Sequence, residues 1–399
     1  MIDFETMEEE RLLNSFSKHQ KVLAVALATL FIGSESASSE VAEPLTFATA
    51  FAAYKTQLNS AKASPDTILE LATLSYELGR KKYGERHLTS YLLRQNLAHA
   101  YLDAGEFQLA ASHYKSILDY YENTLGDDSQ SYYFALLDII NLLKIARKLD
   151  GLEPKDLSLS VFSDHLAVDR LIEITPDIIA MMPESAMLFR AQTVKTAVSN
   201  SLLIKPSLIK KFAEKQLKES LKVYGEMSAS TAEARFFLSK IYSHEGKSGK
   251  AIEQLEQVVQ EFEDAPDYSN PFTLASHARL VVLFQEQGEY DLATQHCRAV
   301  GCLRPWDNNK EQTPLFRINP MYPPAMLKAR KDGWVKVRYD IAEDGFAENV
   351  KVITSSDSHF EEPAAVAIGK WRFAPKTIDG NAVIAKGLEV ILQFKIDAR

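Results

Sequence analysis

The chain reads as a multidomain protein: an all-α array of helical repeats, then a small α+β domain of order αββαβ with a three-stranded antiparallel sheet. Two observations predict this. A set of apolar, aromatic and glycine positions recurs at a fixed offset through the repeat region. From Tyr322 onward the pattern changes to period two, in runs divided by turn residues and by one helical stretch. Composition agrees with a soluble protein: 46% hydrophobic and 25% charged residues over 399 positions, enough to bury two or more cores.

At the N-terminus, Lys21 precedes an apolar run of eleven residues, 22–32. Small residues follow at Gly33, Ser34, Ser36, Ala37 and Ser38. This is the layout of a signal peptide, and the run is short for a membrane span. Cleavage after Ser36 or Ser38 satisfies the small-x-small rule. Acidic residues at Asp3, Glu5, Glu8, Glu9 and Glu10 are atypical there. Either the leading region is extended or synthesis starts at Met7 or later. Residues 1–38 are read as an N-terminal extension and signal peptide, with a short anchor as the alternative.

Residues 42–305 are read as helical repeats. Leu238, Tyr242, Gly246, Ala251, Leu255 and Val258 match Leu280, Phe284, Gly288, Ala293, Cys297 and Val300, each 42 residues on. Leu97, Tyr101, Gly105, Ala110, Tyr114 and Ile117 have the same spacing, and Gly84 and Gly126 are also 42 apart. The large and aromatic residues pack a first helix. A glycine permits the tight turn, and a small Ala lets a second helix approach. This resembles the tetratricopeptide repeat (TPR), in a variant longer than the usual period of about 34. Each pair leaves an apolar face for a neighbour to cover. Residues 151–210, cut by Pro154, Pro176, Pro183 and Pro206, are read as mostly helix with no repeat assignment. The array implies a peptide or protein ligand that the sequence does not name; a plain spacer or dimerisation unit is the alternative.

A polar linker, 306–313, leads into the last domain, 314–399. Pro323 and Pro324 enforce an extended approach, and Ala325 to Arg330 forms a short helix. Val335, Val337, Tyr339 and Ile341 then alternate with polar residues as a half-buried strand. Asp344-Gly345 is a turn, and Val350, Val352 and Thr354 repeat the inward alternation, giving a hairpin. Ser358 and Glu361 have capping-box spacing. Phe360, Ala364, Ala367, Ile368 and Trp371 share a helical face. Pro375 and Gly380 break the chain, and Leu388, Val390, Leu392, Phe394 and Ile396 form the inward side of a final strand.

This segment resembles the C-terminal domain of the TonB family. The carriers are Tyr322-Pro323 with Ala325; Gly333 before Val335 and Val337; Asp344-Gly345; Val350, Val352, Ser355, Phe360 and Ala365; and Trp371-Arg372-Phe373 with Pro375. The resemblance implies a free edge on the last strand, to which a short segment of an outer-membrane transporter, the TonB box, adds as an extra strand. Carried to this chain, that edge is Ala385, Gly387, Leu388, Glu389, Val390, Ile391, Gln393 and Lys395. Trp371, Phe360 and Tyr339 are read as core anchors and Arg372 as a cap on the helix C-terminus.

The implied function is a periplasmic protein that binds partner proteins in cell-envelope transport, with energy transduction as its extension. An inner-membrane motor complex becomes a partner if run 22–32 is an anchor. A periplasmic TPR scaffold, with the TonB-like domain serving docking or dimerisation, is the alternative. The family's transducers have a full membrane helix and a Pro-rich spacer; here the run is short and the fifteen prolines are dispersed. In an oxidising compartment Cys297 and Cys302 are a candidate disulfide if Gly301 ends their helix; two free thiols are the alternative.

No enzyme is expected. Gly246-Lys247-Ser248 resembles the end of a phosphate loop, but Ile241 stands where the upstream glycine is needed. No metal or cofactor motif is present, and the nine histidines are scattered. Acidic residues exceed basic ones, 54 to 45, with no basic stripe, so nucleic acid is not an expected partner.

Overall fold

The computed structural model describes residues 46–60, 63–127, 129–159, 164–199, 206–263, 270–304, 306–307 and 311–396. Run 22–32 and the proposed cleavage sites lie outside the described residues. Among those described, no helix is long and apolar enough to cross a membrane. They form two compact units that divide between Glu219 and Ser220.

The first unit is helical: α1 (Phe47–Leu58), α2 (Pro65–Tyr83), α3 (Leu88–Asp103), α4 (Phe107–Leu125), α5 (Gln130–Asp150), α6 (Asp164–Met181), α7 (Ala186–Ser199) and most of α8 (Pro206–Tyr224). Each of α1 to α6 packs on the helix that follows it. Starts are set by side-chain caps, such as Ser64 on Thr67 N–H and Ser129 on Tyr132 N–H. The repeat residues Leu97, Ala110, Tyr114 and Ile117 are buried. Gly84 and Gly126 cap α2 and α4 with nearly the same backbone, φ 97° and 92° at ψ 153° and 152°. Between α3 and α5, buried Asp138 accepts from Gln95 Nε2 at 2.7 Å and lies 3.1 Å from His99 Nε2. Among its described residues, the proline-cut stretch holds α6, α7, the start of α8 and two short 3₁₀ turns. Pro154, Pro183 and Pro206 begin helical turns, where a missing N–H costs least, and only Pro176 sits inside one.

The second unit begins with two helical hairpins: α9 (Ala229–His244) with α10 (Ser248–Glu263), and α11 (Pro271–Gln287) with α12 (Tyr290–Leu303). Leu238, Tyr242, Ala251, Leu255, Val258, Leu280, Phe284, Ala293, Cys297 and Val300 are all buried, as the recurrence requires. Gly246 and Gly288 take positive φ at the turns.

The α+β domain follows: α13 (Pro324–Lys328), β1 (Gly333–Ile341), β2 (Ala347–Ser355), α14 (Glu361–Ile368), a small hairpin of β3 (Lys376–Ile378) and β4 (Asn381–Val383), and β5 (Ala385–Phe394). The main sheet is antiparallel in the order β2-β1-β5. Its core holds Val335, Val337, Tyr339, Ile341, Phe360, Trp371, Phe373, Leu392 and Phe394. The β3–β4 hairpin fills what the sequence reads as a break.

Two local expectations are corrected. Thr354 does not point inward: Lys336 pairs with Thr354 but Val337 with Val352, so Ile353 is an extra residue that inverts the alternation. Ser358 does not open a capping box; Asp357 caps the turn by accepting from His359 N–H, and Glu361 takes a bond from Ser355 Oγ.

The α+β domain closes the end of the repeats. Leu315, Phe316 and Ala374 pack on Ala278, Val281, Cys297 and Val300 of α11 and α12. Within 306–313, Trp306 packs on the sheet core, and Gln312 Nε2 donates to Asp307 O at 3.0 Å. Deleting 314–399 should therefore destabilise the α9–α12 repeats by roughly 3–6 kcal/mol, at about 1.5–3 kcal/mol for each of the two uncovered valines, Val281 and Val300. Urea denaturation of the shortened chain checks this.

Burial holds His113, His277 and His296 near pKa 4, with the Arg94 charge adding to the effect at His113. The Nδ1 atoms of His277 and His296 are 2.8 Å apart, so one donates and the other accepts. The depressed values mean the unfolded chain binds protons first. Stability should be full above about pH 6.5 and fall toward pH 4, by on the order of 1–2 kcal/mol per histidine. Denaturation at pH 7 and pH 4.5, with His296→Gln reducing the difference, is the measurement.

Candidate functional site: an open strand edge and its mount

Ser356 N–H bonds Trp334 O at 2.9 Å on the β2 side of the central strand. Alternation then turns the N–H and C=O of Val335, Val337 and Tyr339 toward β5, where they meet Leu392, Val390 and Leu388. The intervening residues Glu389, Ile391 and Gln393 must point their main-chain groups the other way. Among the described residues, no strand of the sheet lies on that side. The same strand therefore serves two purposes. Its even residues close the ladder and turn their side chains inward, and its odd residues leave N–H and C=O groups with no ladder partner among the described residues.

The residues expected at this edge do not all lie on it. Leu388, Glu389, Val390, Ile391 and Gln393 form the straight stretch, and Lys395 follows its end. Ala385 pairs with Ile341, but the register then shifts before Leu388. Gly387 sits in that bulge at φ 73°, its N–H bonded to Asp340 Oδ1 at 2.8 Å. The usable edge thus starts at Leu388 and not at Ala385. On the outer face, Glu389 pairs with Lys336 Nζ and Arg338 Nη2 at 2.7 and 2.6 Å. These bonds hold its carboxyl below the usual range. Ile391 is 56% exposed.

The motif residues support the sheet. Tyr322 meets Phe360 and Phe394 edge-on, and its hydroxyl donates to Lys331 O at 2.8 Å. Pro323 caps α13, while Ala325 is exposed. Gly333 has no room for a side chain, since a Cβ would lie 2.1 Å from Phe360. Trp371 Nε1 donates to Ile318 O at 2.9 Å, and Phe373 stacks on Tyr339. Asp344 accepts from Phe346 N–H, and Gly345 follows at φ 87°, where a Cβ would lie 2.4 Å from Phe373 O and 3.2 Å from Cys297 Cβ. Pro375 O approaches Gly301 of α12.

Arg372 does not cap a helix. It is fully buried where the sheet domain meets α11 and α12. Its Nη1 donates to Gln285 Oε1 at 3.3 Å, and its Nη2 to Thr294 Oγ1 at 2.5 Å and Asp344 O at 2.9 Å. The guanidinium lies 3.8 Å above the Phe346 ring. Its main chain pairs with Phe316 in both directions. Nothing in the sequence separates this role from a surface arginine except its place between Trp371 and Phe373, both core residues.

The candidate disulfide is not formed. Gly301 does not end the helix: α12 runs through to Leu303, which places Cys297 and Cys302 on different faces. Cys297 is buried and Cys302 exposed, both free. Burial pushes the Cys297 thiol up to about 11, partly offset by Arg372. Among the described residues, no three His, Cys, Asp or Glu side chains gather as a metal site.

Arg372→Met should cost about 2–4 kcal/mol, because Thr294, Gln285 and Asp344 O lose their buried donor. Hydrogen exchange should then rise in 315–316 and α12 before it rises in β1. Uniform loss of protection across the unit would count against a mount at this residue.

Residues 318–396 match the family described as Gram-negative bacterial TonB protein C-terminal. Protein TonB of Pseudomonas aeruginosa is 34% identical over 94 residues, 23% of this chain and 27% of that protein. Protein TonB of Escherichia coli is 32% identical over 84 residues, 21% of this chain and 33% of that protein. The match thus spans a third or less of these relatives. A crystal structure of TPR-like repeats from Podosopora anserina aligns at 15% identity over 55% of this chain and 96% of its own, with a TM-score of 0.41. Residues 318–396 are a TonB C-terminal domain, preceded in the same chain by helical hairpins.

Proposed function

We propose that this chain is a non-enzymatic, periplasmic TonB-family protein that grips a segment of an outer-membrane transporter by strand addition along β5. The observation that carries the reading is the open edge at Glu389, Ile391 and Gln393, on a domain of this family. Main-chain pairing there supplies affinity and tolerates varied partner sequences. The helical repeats serve as its carrier and hold a protein ligand of their own. An inner-membrane motor would act on the chain only if residues 22–32 anchor it. In the scaffold alternative, the repeats capture the partner while the domain docks or dimerises. The packing of Leu315 and Phe316 on α11 and α12 favours it, since the domain then has a structural task of its own.

The edge can be tested without disturbing the fold. At Ile391 the N–H faces away from β1, so proline removes only what an added strand would use. Ile391→Pro in the full chain should change stability by less than about 1 kcal/mol. Its affinity for synthetic TonB-box peptides should fall at least tenfold. Val390→Pro should unfold the sheet. Equal peptide affinity in wild type and Ile391→Pro, or no shifts in β5 amides on titration, would sink the strand-addition reading.

A further inference from the structure

Asp340 lies on the central strand where both neighbours carry an extra residue. On one side Tyr339 pairs with Leu388 and Ile341 with Ala385, so Lys386 and Gly387 together oppose it. On the other, Arg338 pairs with Lys351 and Asp340 with Glu348, and Asn349 takes φ 51° in the gap. The Asp340 carboxylate bonds into both irregularities. Its Oδ1 accepts from Gly387 N–H at 2.8 Å and its Oδ2 from Asn349 Nδ2 at 2.9 Å. These bonds hold its carboxyl below the ordinary range, so it stays ionised in neutral solution.

A bulge on an edge strand ends the flat run that a partner can follow and pins the register of what remains. A slip by one residue would exchange the two faces of the strand. We propose, resting on the strand-addition reading, that Asp340 is a positioning residue which fixes where an added strand begins and in which register it lies. The bulge it braces limits pairing to Glu389, Ile391 and Gln393. The partner is then an extended segment of about seven residues. Its outer-face side chains lie beside those three. Glu389 is already neutralised by Lys336 and Arg338, so the middle of the edge is the exposed, apolar Ile391. The segment that fits carries an uncharged, apolar side chain there.

The test maps register by disulfide trapping in the full chain with Cys302→Ser. Single cysteines at Glu389, Ile391 and Gln393 are paired with a synthetic TonB-box peptide of an Escherichia coli transporter carrying one cysteine at successive positions. In an Asp340-intact chain, each protein site should trap one peptide position. Asp340→Ala should spread trapping over neighbouring positions and weaken binding about tenfold. Asp340→Asn keeps an acceptor for Gly387 N–H and should retain one register. If Asp340→Ala fails to fold, Gly387→Ala serves, because it strains the left-handed backbone while its Cβ meets open space. It should spread trapping in the same way. One register and unchanged affinity in whichever of the two variants folds overturns the proposal and leaves the gripping reading standing. Absence of trapping at any pairing in the Asp340-intact chain overturns the gripping reading, and the proposal with it.

Discussion

The second unit is organised around one buried cation. Arg372 lies between a strand-rich domain and a helical hairpin, and among the described residues no carboxylate forms an ion pair with it. A buried charge in that position is tolerated only when dipoles replace its water. Here they come from both sides: Asp344 O and the Phe346 ring from the domain, Gln285 and Thr294 from the repeats. Neither side alone supplies the partners of Nη1 and Nη2, so the joint is specific as well as adhesive. The Phe316–Arg372 pairing and the close approaches at Gly301 and Gly345 follow from the same contact.

This joint changes what the repeats are for. A solenoid needs a cap over its last apolar face. In this chain the cap is the domain that carries the open strand. The direction in which that edge faces, relative to α11 and α12, is therefore set by packing and not by a tether.

Much of this was legible in sequence because periodicity survives without knowledge of contacts. The recurrence of Leu, aromatic, Gly and Ala located the hairpins, and alternation located β1 and β5. What escaped were features that depend on a second element. Arg372 reads as a cap until α12 is placed beside it. Cys302 reads as a pairing partner of Cys297 until the helix is seen to continue through Gly301. The Ile353 and Gly387 irregularities keep local residue preferences and alter only the partner strand's register, which no single-strand pattern records. Pro176 sits inside α6 despite its reputation as a breaker, because neighbouring packing overrides local propensity.

The position of the cap in the chain has a consequence for biosynthesis. Ala278, Val281, Cys297 and Val300 leave the ribosome well before Leu315, Phe316 and Arg372. Until those follow, the last hairpin carries an uncovered greasy end, and a prematurely ended chain would carry it permanently. Such a product is what chaperones and proteases recognise. The apolar end of the repeats is thus covered only once the α+β domain has been made, so the fold itself ties the completion of one to the other.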